Sequence, residues 1–373
     1  MTATADLEHP AELDLRVSPL ELFFDLVFVC TITQLTASLA DHLTVGGLAR
    51  VLVMLAVIWW MYDAFIWLAN AMPPTTHTRR GLLLVAMAGF LVVALSIPHA
   101  FEGSGVAFGL AYLLVIAVHT GMFAAAEVPL RSVLRMGALN LLNAALVVTG
   151  GYLEGSTQLL FWAASVGLQF VIPYLVDLPQ FQLRAPHFVE RHGLVVIVAF
   201  GESVIAIGVG AGHTELSVPV VGAALLSLGV CVALWWAYFG RDDDERAGHF
   251  MADLPDARRN QLAIRLYNIG HYLLLLGILL LATGAKSAVA DPTAPVGPAP
   301  ATALAAGVCL YLLANASVRH TLALTPNTPR LLAAAAVPAA IPLGTHLSAL
   351  AQLAATAAIL AAAIGYEERR ALR

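Results

Sequence analysis

The sequence predicts an all-α polytopic integral membrane protein of about twelve transmembrane helices, arranged as two parallel six-helix pseudo-repeats with both termini in the cytoplasm. Three observations predict it. The chain of 373 residues is 60% hydrophobic and 12% charged, with a mean hydropathy of +0.82, whereas soluble domains carry about 25% charged residues. Apolar runs of about 20 residues, the length that crosses a ~30 Å hydrocarbon core, recur along the chain. Between those runs the basic residues alternate in abundance from one side to the other.

The runs come in order after a polar, acidic opening at 1–18. That opening lacks the basic region and short apolar core of a cleaved signal peptide, so it is expected to stay on the mature protein. The candidate spans lie near 19–40, 47–70, 81–100, 104–126, 132–151, 157–178, 190–211, 217–240, 260–284, 300–322, 329–346 and 348–366. The last two are Ala-rich, and Pro338 and Pro342 interrupt the eleventh. The longest cytoplasmic connection is the mixed-charge stretch 241–259, and 284–300 is a Pro/Ala-rich outer loop. This divides the chain into the N-terminal segment 1–18, repeats at 19–180 and 181–366, and a short basic tail at 367–373. Cys30, Cys231 and Cys309 all fall within apolar runs, where free thiols behave as small buried hydrophobes, and no metal-ligand spacing joins them.

With the N-terminus placed in the cytoplasm, seventeen arginines fall on or near the cytoplasmic side, and only Arg50 and Lys286 on the other. Such a bias sets orientation, and it checks the span count, because one missed helix would scramble the alternation. The halves also resemble one another. Glu21 opens span 1 and Glu190 opens span 7. Trp59-Trp60-Met61-Tyr62 in span 2 parallels Trp235-Trp236-Ala237-Tyr238 in span 8. Arg79-Arg80 precedes span 3 as Arg258-Arg259 precedes span 9, and spans 4 and 10 share Tyr-Leu-Leu at 112–114 and 311–313. Repeats with an even number of spans share one orientation, an arrangement common in transporters and some channels.

Ionisable residues inside the apolar runs are the candidate site. A charge at the centre of a spanning helix costs about 2.5–3.5 kcal/mol on insertion scales, so such residues face a bundle interior or a polar cavity. Glu21 and Asp25 are four apart on one face of span 1. Asp63 follows the aromatic patch of span 2. Glu190, Arg191 and His192 open span 7, and Arg265, Asn268 and His271 step along span 9. All lie in the cytoplasmic half, with Arg265 and the histidines as expected partners for the acids. Glu202 sits near the midplane of span 7, beside Gly201, which would admit another backbone. Asn140, Asn143, Gln34, His119 and Gln169 are its candidate partners. Each of these groups serves equally as a buried network that fixes helix packing or as a gate or proton relay. The acidic run 242-DDDE-245 reads as a solvated loop, with a cation or diphosphate site as the alternative. No phosphate-binding loop, nucleophile elbow, zinc-protease helix or dinucleotide fingerprint is present, so no cofactor and no metal are expected.

The opening 19-PLELFFDLVFVCTITQLT-36, the segment 189-VERHGLVVIVAFGESVIAIG-208 and the two aromatic patches resemble the bacterial low-temperature-requirement A (LtrA) family over nearly the whole chain. The resemblance implies a bacterial plasma-membrane protein named for a cold-growth phenotype. Its signature residues carried over by position are Glu21, Asp25, Glu190, Arg191, His192, Gly201 and Glu202. In span 8 the aromatic patch ends in Phe239-Gly240, where an acidic residue is expected. The resemblance fixes the kind of molecule and no reaction. Transport of a small solute or ion, coupled to protons through buried carboxylates, is the leading expectation. A membrane-embedded enzyme acting on a lipid or isoprenoid, or a sensory or structural protein, are the alternatives. The bilayer is the expected partner, nucleic acid is not, and a homo-oligomer is compatible with the sequence.

Overall fold

The computed structural model describes residues 17–125, 130–175, 183–212 and 215–371. The N-terminal segment up to residue 16, including Arg16, and the tail residues 372–373 lie outside the described residues. The described residues form helices and turns, without strands. In chain order the helices are α1 (Pro19–Asp41), α2 (Val45–Ala71), α3 (His77–Ser96), α4 (Gly105–Ala124), α5 (Leu130–Gly151), α6 (Gly155–Leu175), α7 (Ala185–Ala211), α8 (Val218–Phe239), α9 (Asp243–Ala252), α10 (Asp256–Ala263), α11 (His271–Ala290), α12 (Pro298–Thr321), α13 (Thr328–Ala336), α14 (Ile341–His346) and α15 (Ala349–Ala371). A π-helical segment, Ile264–Gly270, joins α10 to α11.

Among the described residues, eleven helices are long and apolar enough to cross a membrane. The eleventh expected run, near 329–346, is broken. The pyrrolidine rings of Pro338 and Pro342 remove two helical donors and crowd the preceding turn, and the backbone answers with the 3-10 turn Val337–Ala340 between α13 and α14. The expected tail at 367–373 is helical as far as Ala371, and its Glu367 is buried. Large apolar side chains such as Phe23, Leu26, Leu95, Leu134, Leu225 and Val232 are exposed around the bundle. Water would penalise that surface and acyl chains would not. The protein is a multi-pass membrane protein.

Local chemistry explains where helices start. Ser18 caps α1 in a reciprocal box: its hydroxyl accepts from the Glu21 N–H at 3.3 Å, and the Glu21 carboxylate accepts from the Ser18 N–H at 2.9 Å. Thr44 and Thr76 cap α2 and α3 in the same sense. The short helix α9 lies across the end of α7, its Gly248 close against Pro186.

Packing is tightest where α11 crosses α12. A Cβ on Gly307 would sit 2.6 Å from the Gly277 carbonyl oxygen, and one on Gly277 would sit 2.9 Å from that of Gly307. Small residues that let backbones meet are the usual adhesive of membrane helices, because lipid supplies no hydrophobic drive between them. Gly307→Ala is therefore expected to destabilise the fold by about 1–3 kcal/mol, as overpacking does. Gly365→Ala, where a Cβ meets nothing within 4 Å, should cause no loss. Thermal denaturation in detergent at one scan rate compares the two; equal melting would refute the close crossing.

At the centre of the molecule α1 and α2 pack on α7, and α1 and α2 also touch α11. Several ionisable residues of the apolar runs, Asp25, Asp63, Arg191 and His192 among them, collect there.

Candidate functional site

The first contact of the centre is an ion pair. Arg191 Nη2 donates to Asp25 Oδ1 at 2.7 Å, and both side chains are almost wholly buried. The Tyr62 hydroxyl donates to the same oxygen. Asp25 Oδ2 and Arg191 Nε and Nη1 have no hydrogen-bond partner among the described residues. One turn earlier on α1, Glu21 faces His187 Nε2 at 3.5 Å. The His187 Nδ1 lies 3.2 Å from Asn70 Nδ2, which can only donate, so the ring hydrogen sits on Nε2, the nitrogen nearer Glu21, whose Oε1 has no hydrogen-bond partner among the described residues. Asn70 also accepts from the Arg184 N–H and donates to the Arg184 carbonyl, both at 2.9 Å, and so fixes the start of α7 against α2.

The second contact is a shared proton. His192 Nδ1 lies 2.9 Å from the Phe188 carbonyl oxygen, which can only accept, so Nδ1 carries a hydrogen. Its Nε2 lies 2.9 Å from Asp63 Oδ1. A neutral imidazole has one N–H and has already used it. The Asp63–His192 contact therefore holds one further proton, either as imidazolium and carboxylate or as imidazole and carboxylic acid. Asn268 Nδ2 donates to the other oxygen of Asp63 at 2.8 Å.

The π-segment makes this possible. Its wide turn presents the Asn268 side chain to Asp63 and the Asn268 carbonyl to Trp59 Nε1, at 2.7 Å. It also lets His271 Nδ1 donate to the Leu266 carbonyl, five residues back, at 3.0 Å. His271 Nε2 then accepts from the Tyr238 hydroxyl at 2.8 Å. Single π-turns within helices are found disproportionately at functional sites.

Asp63 also forms part of the wall of a cavity of about 100 Å³. The remaining wall is mostly apolar and aromatic, with Trp60, Trp67 and Phe123, and Asn268 lies beside the carboxylate. On the other side are His119, Asn140 and Asn143. Asn143 is held by Tyr112, to which it donates at 2.9 Å, and by Ser165, which donates to it at 2.5 Å. An apolar pocket with a few convergent polar groups is the usual form of a small-molecule site. Among the described residues no group of three or more His, Cys, Asp or Glu could hold a metal ion.

Asp25, Asp63, His192, Asn268, His271 and Glu21 thus meet at the α1/α2/α7/α11 junction. Four expectations need correction. Arg265 is exposed and takes no part; the buried cation is Arg191. Bonding from i to i+5 lowers the rotation per residue, so the step from Arg265 to Asn268 no longer keeps one face. Glu190 is likewise exposed, not turned into the bundle. Glu202 is buried, but its carboxylate accepts from Thr33 on α1. Of its expected partners, Asn140, Asn143 and His119 line the cavity, and Gln169 donates to Tyr112 at 2.8 Å. A Cβ on Gly201 would meet nothing within 4 Å; the close approach is at Gly210, against the Lys286 backbone.

One network escaped the sequence reading. Arg330 donates to Glu367 at 3.1 Å, to the Ala237 carbonyl at 2.6 Å and to Asn315, and all three polar side chains are buried. Arg319 pairs with Asp243, the second residue of the DDDE run, which is therefore engaged by a guanidinium within the protein. Both arginines fall near the ends of apolar runs, where they look like ordinary cytoplasmic charges.

Similarity to known proteins agrees with this architecture. The sequence model of the family described as "Bacterial low temperature requirement A protein (LtrA)" matches residues 16–365. A relative from Rhizobium meliloti (strain 1021), "Uncharacterized protein RA0937", is 28% identical over 290 residues, covering 73% of this chain and 69% of that protein. No solved structure matches. The opening motif carries Asp25, the second motif carries its partner Arg191 and the proton-sharing His192, and the family match encloses the whole junction: the chain belongs to the bacterial low-temperature-requirement A (LtrA) family.

Proposed function

We propose that the protein is a proton-coupled secondary transporter of a small solute in the bacterial plasma membrane. It has twelve crossings in two parallel six-helix units, with both termini in the cytoplasm. The observation that carries this is the double role of Asp63. The carboxylate that shares a proton with His192 is also part of the wall of the cavity. A solute that contacts Asp63 alters how tightly the proton is held, and that is the minimum a coupled carrier requires. A sealed structural or sensory bundle has no use for a cavity beside a proton-sharing pair.

Several contacts support the twelve-crossing reading. The broken run 328–346 has 19 residues, about 29 Å at 1.5 Å per residue, close to the hydrocarbon thickness. Arg330 near its start meets Asn315 and Glu367. Near its end the Gly344 carbonyl accepts from the Val296 N–H at 2.8 Å, in the loop before α12. These contacts lie at opposite ends of α12. Pairing also repeats between halves: α1 packs on α3 and α7 on α11, α3 on α4 and α11 on α12, α2 on α6 and α8 on α15. Gln158 of α6 donates to the Ala100 carbonyl at 2.7 Å, and Gln352 of α15 to the Ala301 carbonyl at 2.8 Å.

The test is proton movement in proteoliposomes with a trapped pH dye, under imposed proton, potassium and sodium gradients and a panel of small solutes. Wild-type protein should carry protons in a solute-dependent way. Asp63→Asn should lower that flux at least about 100-fold, the loss that follows removal of a group essential to proton transfer. Glu202→Gln keeps an acceptor for Thr33 and should retain most of it. Solute-independent flux, or full flux in folded Asp63→Asn protein, would overturn the assignment.

A further inference from the structure

The cavity has a chemical character that names a class of solute. Resting on the transport reading for its exchange step alone, we infer that it binds a small organic cation, a compact protonated amine, and that the cation takes its place by displacing the proton shared by Asp63 and His192. Among the described lining residues Asp63 is the sole carboxylate, and none is Arg or Lys. His119 lines the same space and is almost fully buried. One of its ring nitrogens donates to the Ala64 carbonyl, and Nδ1 has no hydrogen-bond partner among the described residues. With the hydrogen on the bonded nitrogen, Nδ1 is a lone-pair acceptor, and its missing partner is a donor. The Asn140 amide nitrogen turns to Thr120, which leaves its carbonyl end to the cavity, whereas Asn143 is engaged at both ends, by Tyr112 and Ser165. Trp60, Trp67 and Phe123 supply aromatic faces, and a cation over such a face is attracted by the ring quadrupole. A carboxylate, a histidine lone pair and aromatic walls together suit an ammonium group on an apolar body.

Size limits the body. A dry cavity of about 150 Å³ accepts benzene. The space here, about 100 Å³, takes a solute of about five heavy atoms.

Charge conservation sets the exchange. The titratable and charged groups packed around the pair are His271 and Tyr267 on the wide-turn helix, Arg191 on α7, and Tyr62 and Asp25. Arg191 is already matched by Asp25, and Glu21, the remaining carboxylate of the junction, lies against His187 and is not part of the cavity wall. Adding a cation to the protonated pair would leave its charge with no second carboxylate among the described residues of the wall to match it, in a medium that solvates it poorly. A monocation that enters while one proton leaves keeps the total unchanged. The ammonium nitrogen takes the place at the Asp63 carboxylate that the proton held, and the proton departs to water.

Isothermal titration calorimetry on the full chain in lipid nanodiscs tests this with isobutylammonium as probe and isobutanol as its neutral isostere. Running each in two buffers of different ionisation enthalpy counts protons released. Binding of isobutylammonium with release of about one proton, and isobutanol at least about tenfold weaker, is expected, since proton release on binding is the linkage between cation and site. Asp63→Asn, checked for folding by its melting curve, should bind the cation with no proton release. The wild-type comparison of the two probes stands without that variant. Equal binding of isobutanol, cation binding without proton release, or no cation binding would each overturn the inference. Cation binding with proton release in protein that carries no proton flux would leave the site standing and remove the transport reading. Flux driven by another solute, without cation binding, would do the reverse.

Discussion

Arg191→Met is expected to destabilise the protein by about 3–5 kcal/mol, the cost of stranding one member of a buried ion pair. The substitution leaves the Asp25 carboxylate, 1% exposed, with the Tyr62 hydroxyl as its remaining donor. The double variant Arg191→Met/Asp25→Leu removes both charges, and apolar replacement of a whole pair is often neutral or favourable. It should therefore recover most of the loss. Thermal unfolding in one detergent at one scan rate compares the three proteins, because unfolding of such proteins is often irreversible and its midpoint then depends on rate. A single variant that melts like wild type would mean that the pair contributes nothing to the fold. A double variant as unstable as the single would mean that Asp25 has partners beyond Arg191 and Tyr62.

Arg330→Met should be comparably severe for a different reason. One guanidinium ties α13 to α8 through the Ala237 carbonyl, to α12 through Asn315 and to α15 through Glu367. α13 is only nine residues long, and besides this guanidinium it is held by the packing of small residues such as Ala333 and Ala334 against α12 and α15. Removal costs the bonds and leaves Glu367 with Arg319 and Arg241, each at 3.8 Å, so a loss of about 3–5 kcal/mol is expected. No residue of this network lines the cavity beside Asp63. The folded variant at low temperature should therefore retain proton flux, if any is seen in wild type. Flux lost at unchanged melting temperature would instead place Arg330 on the transport path.

Much of the architecture was legible because membrane helices announce themselves by length and apolarity. The start of α1 could be read from Ser18-Pro19 and Glu21, and the break near Pro338 from proline chemistry. The partners of the buried charges were harder. Glu190, Arg191 and His192 are consecutive, so at about 100° per residue they spread over more than half the helix circumference. All three cannot face one interior. Arg191 and His192 are buried and Glu190 is exposed. Arg265 was misplaced because no residue in Ile264–Gly270 marks a π-turn, and α-helical spacing carried past it gives the wrong face. Asp63 was recognised as an intramembrane acid. Its cavity was not, because Trp60, His119 and Asn143 are distant in sequence and converge only through tertiary packing.

The wide turn between α10 and α11 also fixes a phase relation. Along Asp256–Ala290 the chain is one rod holding a surplus residue, and the two parts keep different angular registers with their neighbours. Were the surplus expelled, α10 would rotate against α11 by about 100°, one residue's worth of helix. Asn268 could not then keep its bond to Asp63, nor His271 its bond to the Leu266 carbonyl. The rod behaves as a torsional element whose angular setting is latched by the same carboxylate that shares the proton with His192. Rotation of α10 against α11 and the hydrogen bonding of Asp63 would therefore change together.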